Sequence, residues 1–278
     1  MKVNYIDHMG TDLSVVNAAR VSFGKQSEWV YETRKVPHTE EEYYGPYLSD
    51  RDTKLIQFLA RGCTSGDWED TLQKIFEKGV SLATWSAIYS VTEEKVEENY
   101  REMEELVKQI KRMPTHWTPF GHTAITLHIK APIFVARQLG KHQVGMVWNE
   151  VSRRYVTDDP DYFKPEWREA PDDNIKQGSG EKIDNTDYID GWYDRVIAYS
   201  DEAYQSALNL GIAPEQARAM LPQATYTEWY WTGNLYSFAN VYIQRTDSHA
   251  QKEVQEVAHQ IGEIIKPLFP VSWEALVS

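Results

Sequence analysis

The sequence is short of several things, and each shortage narrows what it can be. Its 278 residues include a single cysteine, Cys63, which excludes an intrachain disulfide and any zinc site built on several thiolates. No apolar run approaches the roughly 20 residues needed to cross a bilayer. The opening MKVNYIDHMG has no apolar centre of the signal-peptide kind, so a cytoplasmic protein with no membrane partner is expected. Positive charge is scarce too: 29 Lys and Arg stand against 42 Asp and Glu, a formal charge of −13. Such a field repels nucleic acid polymers, so any anion the protein binds must be met by cations gathered locally. Without a G-x-S-x-G, a P-loop or a G-x-G-x-x-G, the serine hydrolase, Walker-type NTPase and Rossmann dehydrogenase readings lose their usual support.

What is present is a chain that is 41% hydrophobic, long enough to bury a proper core and read as one domain with insertions. LSVVNAARVSF (Leu13–Phe23) has helical spacing, and DTKLIQFLARG (Asp52–Gly62) predicts a helix capped by Asp52 and ended by Gly62. From Glu93 to Lys111, apolar residues at steps of three and four predict an amphipathic helix with a solvated charged face. In TAITLHIK (Thr123–Lys130) the period changes to two, the mark of a strand with one buried face. Pro132 then opens a helix, PIFVARQL, that delivers Arg137 and Gln138.

Residues 157 to 190 are rich in Pro, Gly, Asp and Asn and are expected to form an irregular excursion, a lid or mobile loop. A helix is expected from Gly191 to Leu210, a short one over PEQARAML (Pro214–Leu221) presenting Arg218, and a strand over TYTEWYW (Thr225–Trp231). In the final helix Ser248 and Gln251 fit a capping box, and an apolar stripe runs from Ala250 to Leu268. Arg245 and Asp247 are placed at its N-terminal mouth. Helices with a few strands and no βαβ alternation indicate an α+β fold.

The chemistry centres on KHQVGMVWNEVSRRY (Lys141–Tyr155). Between Arg137 and Tyr155, Arg137, Lys141, Arg153 and Arg154 face Glu150 alone, with His142, Gln138, Gln143, Asn149 and Ser152 as further hydrogen-bonding groups. Arginine forks match phosphate oxygens while amides and hydroxyls read a polar ring, so a phosphorylated heterocycle suits the set. The alternative is a group of surface salt bridges to the protein's many acids. His116 and His122, six apart with no acid between them, suit hydrogen bonding better than metal ligation. Cys63, with only Arg61 nearby to favour a thiolate, reads as an ordinary structural cysteine.

Four ordered blocks, DLSVVNAARVSF, HWTPFGHTAITLHIKAPIFVARQ, NEVSRRY and ARAMLP through YTEWYWTGNLYSFANVYIQRTDSHAQKEVQ, together resemble the flavin-dependent thymidylate synthase (ThyX) family. The resemblance implies a ThyX-like α+β fold of mixed helices around a small, mostly antiparallel sheet. It implies a single domain over 1–278, with 62–113 and about 157–190 as insertions or variable segments. It also implies a homotetramer with sites shared between subunits, FAD as cofactor, and NADPH and methylenetetrahydrofolate as cosubstrates for methylation of dUMP to dTMP without a cysteine nucleophile. By position, Gln138, Lys141, Glu150, Val151, Ser152, Arg153, Arg154, Arg218 and Arg245 would hold the nucleotide, Arg245 being the catalytic arginine beside the uracil. Ser22, His116, Thr118, Lys141, His142, Gln143, Glu150, Asn234, Tyr236 and Asn240 fall at flavin-contact positions; no metal is implied.

The chain departs from the family where it has Lys141-His142-Gln143 in place of Arg-His-Arg, one extra residue before Asn149, Tyr236 for a frequent arginine and Gly121 for a frequent glutamate. Those departures leave two further readings. One is a flavin- and folate-dependent hydroxymethylase or dCMP-directed variant; the other is a non-catalytic homologue that binds nucleotide or flavin.

Overall fold

The computed structural model describes residues 1–35, 39, 41–61, 73–74, 76–77, 101, 116–171 and 178–277. Cys63, Gly62 and the helix expected over Glu93–Lys111, Arg101 apart, lie outside them. Along the chain run β1 (Lys2–Met9), α1 (Asp12–Arg20), β2 (Val30–Lys35), β3 (Glu42–Tyr47), α2 (Asp50–Arg61), β4 (Ala124–Pro132) and α3 (Ile133–Leu139). Then come β5 (Met146–Glu150), α4 (Asp187–Asn209), α5 (Pro214–Ala217), β6 (Tyr226–Gly233), α6 (Leu235–Arg245), α7 (Lys252–Ile265) and α8 (Pro270–Val277). Short 3-10 turns occupy Val21–Phe23, Thr118–His122 and Arg218–Met220. The described residues fall into two compact units, the first mainly Met1–Met9 with Thr123–Leu268 and the second Gly10–His122 with Phe269–Leu276. The α+β expectation is met.

The first unit is built on a four-stranded sheet in the order β1-β4-β6-β5 with every pairing antiparallel. The period-two pattern of β4 does what it predicts: Ile125, Leu127, Ile129 and Ala131 are fully buried, with Thr126, His128 and Lys130 on the opposite face. Across the ladder Leu127 meets Trp231 and Ile129 meets Trp229, both tryptophans buried. Each such side chain removed from water contributes about 1.5–3 kcal/mol, so register is strongly fixed here; a one-residue slip would turn the whole set outward. β1 and β5 were not anticipated as strands, because neither KVNYIDHM nor MVWNE alternates cleanly.

Helix α7 lays Val254, Val257, Ala258, Ile261 and Ile265 into this core, and its Gln260 Oε1 accepts from Val3 N in β1 at 3.0 Å. Its expected capping box is not formed. The helix starts at Lys252 behind Gln251, with no side-chain cap, which leaves Ser248 a turn outside it; Gln255 Nε2 donates instead to Ala250 O at 2.7 Å. Arg245 ends α6 rather than opening α7, and α8 follows as the last helix.

Helix α4 begins at Asp187, ahead of the expected Gly191, because Asp187 and Asp190 suit the positive end of its dipole and Thr186 Oγ1 donates to Asp190 at 2.8 Å. Ahead of Asp187, the described part of the 157–190 excursion is irregular but tied down. Phe163 N donates to Ala224 O at 2.9 Å, Tyr226 N to Asp161 O at 2.8 Å and Ile183 N to Trp167 O at 3.0 Å. No helix among the described residues is long and apolar enough to cross a membrane.

In the second unit, α1 buries Val15 and Val16 and passes into the Val21–Phe23 turn rather than staying α-helical to Phe23. Its buried Asp12 accepts from Val271 N and Ser272 N, both at 2.9 Å, at the exposed-amide end of α8. Burial pushes the Asp12 carboxyl up despite those bonds. β2 and β3 form a separate two-stranded hairpin.

The cap of α2 is Ser49, not Asp52: Ser49 Oγ accepts from Asp52 N at 3.2 Å and donates to Asp52 Oδ2 at 2.7 Å. Asp52, 3% exposed, instead ties α2 to α1. Its Oδ1 accepts from Arg20 Nε at 2.9 Å, Arg20 Nη2 at 2.5 Å and Ser27 Oγ at 2.9 Å. Burial raises the Asp52 pKa, but the bonds from Ser49, Arg20 and Ser27 outweigh it and hold the carboxyl below its usual value.

Asp52→Ala strands the buried Arg20 charge, and chemical denaturation is expected to show a loss of about 3 kcal/mol. Because the folded-state pKa is depressed, Asp52 stabilises the fold above the unfolded carboxyl's pKa of about 3.9, and this contribution fades as pH falls through the lower folded value. Asp52→Ala should therefore lie well below wild type at neutral pH and converge on it in acid; a pH-independent gap would contradict the assignment.

Candidate functional site

In the first unit, α3 ends at Leu139 and hands the chain to a loop that enters β5 at Met146. The loop is seated on the start of α6. Gly145 has φ +71°, and a Cβ there would lie 2.6 Å from Ser237 Oγ and 2.9 Å from Asn234 Nδ2, so only glycine suits both the backbone and the space. That approach lets Ser237 Oγ donate to Val144 O at 2.9 Å, while Asn234 caps α6 by accepting from Ser237 N at 2.8 Å. Tyr236 and Asn240, one turn apart on α6, are half-buried.

The same arrangement brings Gln138, His142 and Arg245 together. Arg245 Nε donates to His142 Nε2 at 2.9 Å and Arg245 Nη2 to Gln138 O at 3.2 Å; Gln138 Nε2 donates to Gln251 Oε1 at 2.6 Å. A guanidinium can only donate. His142 Nε2 must then be the acceptor, which puts the ring proton on Nδ1 and makes the imidazole neutral. Burial, joined by the Arg245 charge, holds the His142 pKa below its ordinary value, and burial lowers that of Arg245. The result is a half-buried cation fixed from two sides, with its Nη1 edge free of any partner among the described residues.

The carboxylate of Glu150 accepts from Thr227 Oγ1 at 2.6 Å and from Trp148 Nε1 at 3.2 Å, and Trp148 stacks on Trp229 at 4.3 Å. Glu150, Val151 and Arg153 line one cleft of about 630 Å³ with Asn149 and Tyr230. Arg153 Nη1 donates to Asp158 O, and Arg154 Nε to Ser152 Oγ at 3.0 Å. Lys141 and Gln143 are exposed, Gln143 Nε2 reaching Gly140 O at 3.5 Å. Arg218, also exposed, donates within its own turn to Glu215 O at 3.1 Å. Among the described residues Arg137, Lys141, Arg153 and Arg154 pair with no carboxylate, so the salt-bridge reading of the basic segment is not what the structure shows.

Ser22, His116 and Thr118 belong to the second unit and line one cleft of about 710 Å³ there. Its floor is apolar, with Ala18, Ala19, Phe58 and Pro119, and the His116 ring sits 5.2 Å from that of Phe58. Flat apolar walls with hydroxyls and an imidazole at the edge suit a heteroaromatic ring. No cluster of three or more metal-ligating side chains occurs among the described residues. Sequence reasoning missed Thr227 and Trp148 as partners of Glu150, and read Gln251 only as a helix cap. Thr227 and Gln251 meet their partners from far along the chain, and Trp148, two residues from Glu150, is placed by stacking on Trp229.

Comparison with known proteins now bears on this geometry. Residues 49–271 match the family model described as thymidylate synthase complementing protein. A flavin-dependent thymidylate synthase from Kosmotoga olearia is 39% identical, over 99% of this chain and 90% of its own. One from Wolbachia pipientis wMel is 38% identical, over 99% of this chain and 73% of its own. The chain belongs to the flavin-dependent thymidylate synthase family. Among solved structures, the UMP/dUMP methylase PolB from Streptomyces cacaoi bound with 5-Br dUMP superposes with a TM-score of 0.66 at 25% identity, covering 99% of this chain and 93% of that one. The flavin-dependent thymidylate synthase blocks read from the sequence thus sit on the fold they implied.

In a nitrogen-15 correlation spectrum, His142 should appear as the neutral Nδ1–H tautomer at neutral pH and titrate below the ordinary histidine value of about 6.5. Since the unfolded chain takes up this proton first, stability should fall as pH drops below about 6.5. A protonated His142 at neutral pH would refute the assignment.

Proposed function

We propose that the protein converts dUMP to dTMP by reductive methylation of C5. Methylenetetrahydrofolate gives the one-carbon unit and NADPH the reducing equivalents, with FAD as the bound cofactor. The observation that carries this is the fixed guanidinium of Arg245, held by His142 Nε2 and Gln138 O with an edge left to face a ligand. A cation already oriented beside a uracil ring favours negative charge on a ring deprotonated at N3, and it needs no reorganisation when that charge develops. The UMP/dUMP specificity in the name of the Streptomyces cacaoi neighbour supports a pyrimidine nucleotide as substrate.

In this proposal Arg153, Arg154 and Arg218, with Ser152 and the Val151 backbone, meet the phosphate and sugar, while Glu150, Lys141 and Gln138 orient the nucleotide. The chemical class of these side chains fits: cations for the phosphate, amide and hydroxyl groups for the ring edges. Ser22, His116, Thr118, His142, Gln143, Asn234, Tyr236 and Asn240 would hold the flavin, whose part is hydride chemistry that side chains lack. Lys141 keeps a point charge and Gln143 only an amide, so the hold on flavin phosphates from this segment is weaker than an Arg-His-Arg sequence gives. The family match runs from residue 49 to 271 and so across both compact units, which supports a single functional domain. The assembly we propose is a homotetramer whose sites draw on more than one subunit.

Purified protein given dUMP, methylenetetrahydrofolate, FAD and NADPH should yield dTMP by mass spectrometry. A 5-hydroxymethyl product, turnover of dCMP alone, or no product would overturn the assignment. Arg245→Ala is expected to lower kcat by about 10²–10³-fold with the oligomer intact by light scattering. Cys63→Ser should stay within about twofold of wild type, because no thiolate takes part.

A further inference from the structure

The cleft in the second unit has a feature that neither the family blocks nor the proposed ligand positions use. Three of its lining residues are Lys25, Arg51 and Lys54. All three are exposed, and none of their side chains makes an ion pair or hydrogen bond among the described residues. The fourth cation at this cleft, Arg20, behaves differently: it is spent on buried Asp52. In a chain of formal charge −13, where lysines such as Lys130, Lys164 and Lys182 are paired with acids, three unpaired cations at one cavity need a reason.

Helix geometry supplies the placement. Arg51, Lys54, Leu55 and Phe58 stand at i, i+3, i+4 and i+7 of α2, a single face, and all four line the cleft. The charged residues come first along that face and the apolar ones follow. From α1 and the turn after it come Ala18, Ala19, Ser22 and Phe23, the two alanines keeping the wall low. A ligand matching this gradient has a flat apolar ring at one end and a multiply charged anionic group at the other, and about 710 Å³ is room for one of nucleotide size.

We propose that Lys25, Arg51 and Lys54 form a cationic rim that binds the anionic end of a ring-bearing cosubstrate whose ring lies on the Phe58 side of the cleft. This rests on the function proposed above, whose cosubstrates offer two sources of that chemistry: the pyrophosphate of FAD and the glutamyl carboxylates of the folate.

The test is a triple variant, Lys25→Gln, Arg51→Gln and Lys54→Gln, together with the three single variants, all checked for folding by thermal unfolding. Flavin fluorescence titrations with FAD and riboflavin read the rim without any turnover. If the rim holds the flavin phosphates, the triple variant binds FAD about tenfold more weakly, riboflavin unchanged, and the FAD affinity loses part of its salt dependence. If it holds the folate tail, FAD binding is unchanged while KM for methylenetetrahydrofolate rises, more for a polyglutamate form than for the monoglutamate. Changes below about twofold in both would overturn the proposal. Should the triple variant fail to fold, the single substitutions at exposed positions carry the same comparison. Wild type that binds FAD but makes no dTMP would refute the proposed function and leave the FAD titration able to decide the rim.

Discussion

The pairing of β4 with β6 is the constraint on which the first unit depends. Ile125, Leu127 and Ile129 on one strand and Trp229 and Trp231 on the other are buried together in a single register, and both strands lead directly into the segments that carry the proposed site. β4 runs through Pro132 into α3 and so to Gln138, Lys141 and His142; β6 runs through Gly233 and Asn234 into α6 and so to Arg245. Fixing the two strands against each other therefore fixes His142 against Arg245, although 103 positions separate them. A shift in register would move both ends of that hydrogen bond in opposite directions along the chain.

Electrostatics follows the same local logic. The protein as a whole is acidic, yet among the described residues the 137–154 segment and the rim of the second unit's cleft hold cations paired with no carboxylate, while several other lysines are tied to carboxylates. An anionic small molecule meets local attraction at these places, while a polyanion meets the repulsion of an acidic protein. The Arg245 and His142 pair adds a further device: a neutral histidine accepts from a cation, so orientation is gained without neutralising the charge that catalysis would use. A carboxylate in the same position would hold the guanidinium as well but would quench it.

Much of the fold could be read before any coordinates. β4 declared itself by strict alternation, α7 by an apolar stripe, and the basic segment by contrast with its surroundings. What could not be read were elements whose pattern is made by a partner. β5 is a strand because β6 offers it a ladder, and Trp148 is placed by stacking on Trp229. The capping errors have a similar origin: Asp52 and Ser248 are both good cap residues by type, but Asp52 is taken by Arg20 and Ser27, and Ser248 falls in a turn before the helix starts.

By itself the sequence determined the α+β class, the charge economy and the residue types able to meet a phosphorylated pyrimidine, because these depend on composition and local period, and its four ordered blocks carried the resemblance to the family. Only the tertiary structure decided which nitrogen of His142 carries the proton, that Glu150 is held by Thr227, that Ser22, His116 and Thr118 share one cleft, and that Lys25, Arg51 and Lys54 stand around it with no side-chain partner among the described residues. The reason is physical: hydrogen bonds and ion pairs reach only a few ångströms, and residues far apart in sequence come within that distance only once the core has packed.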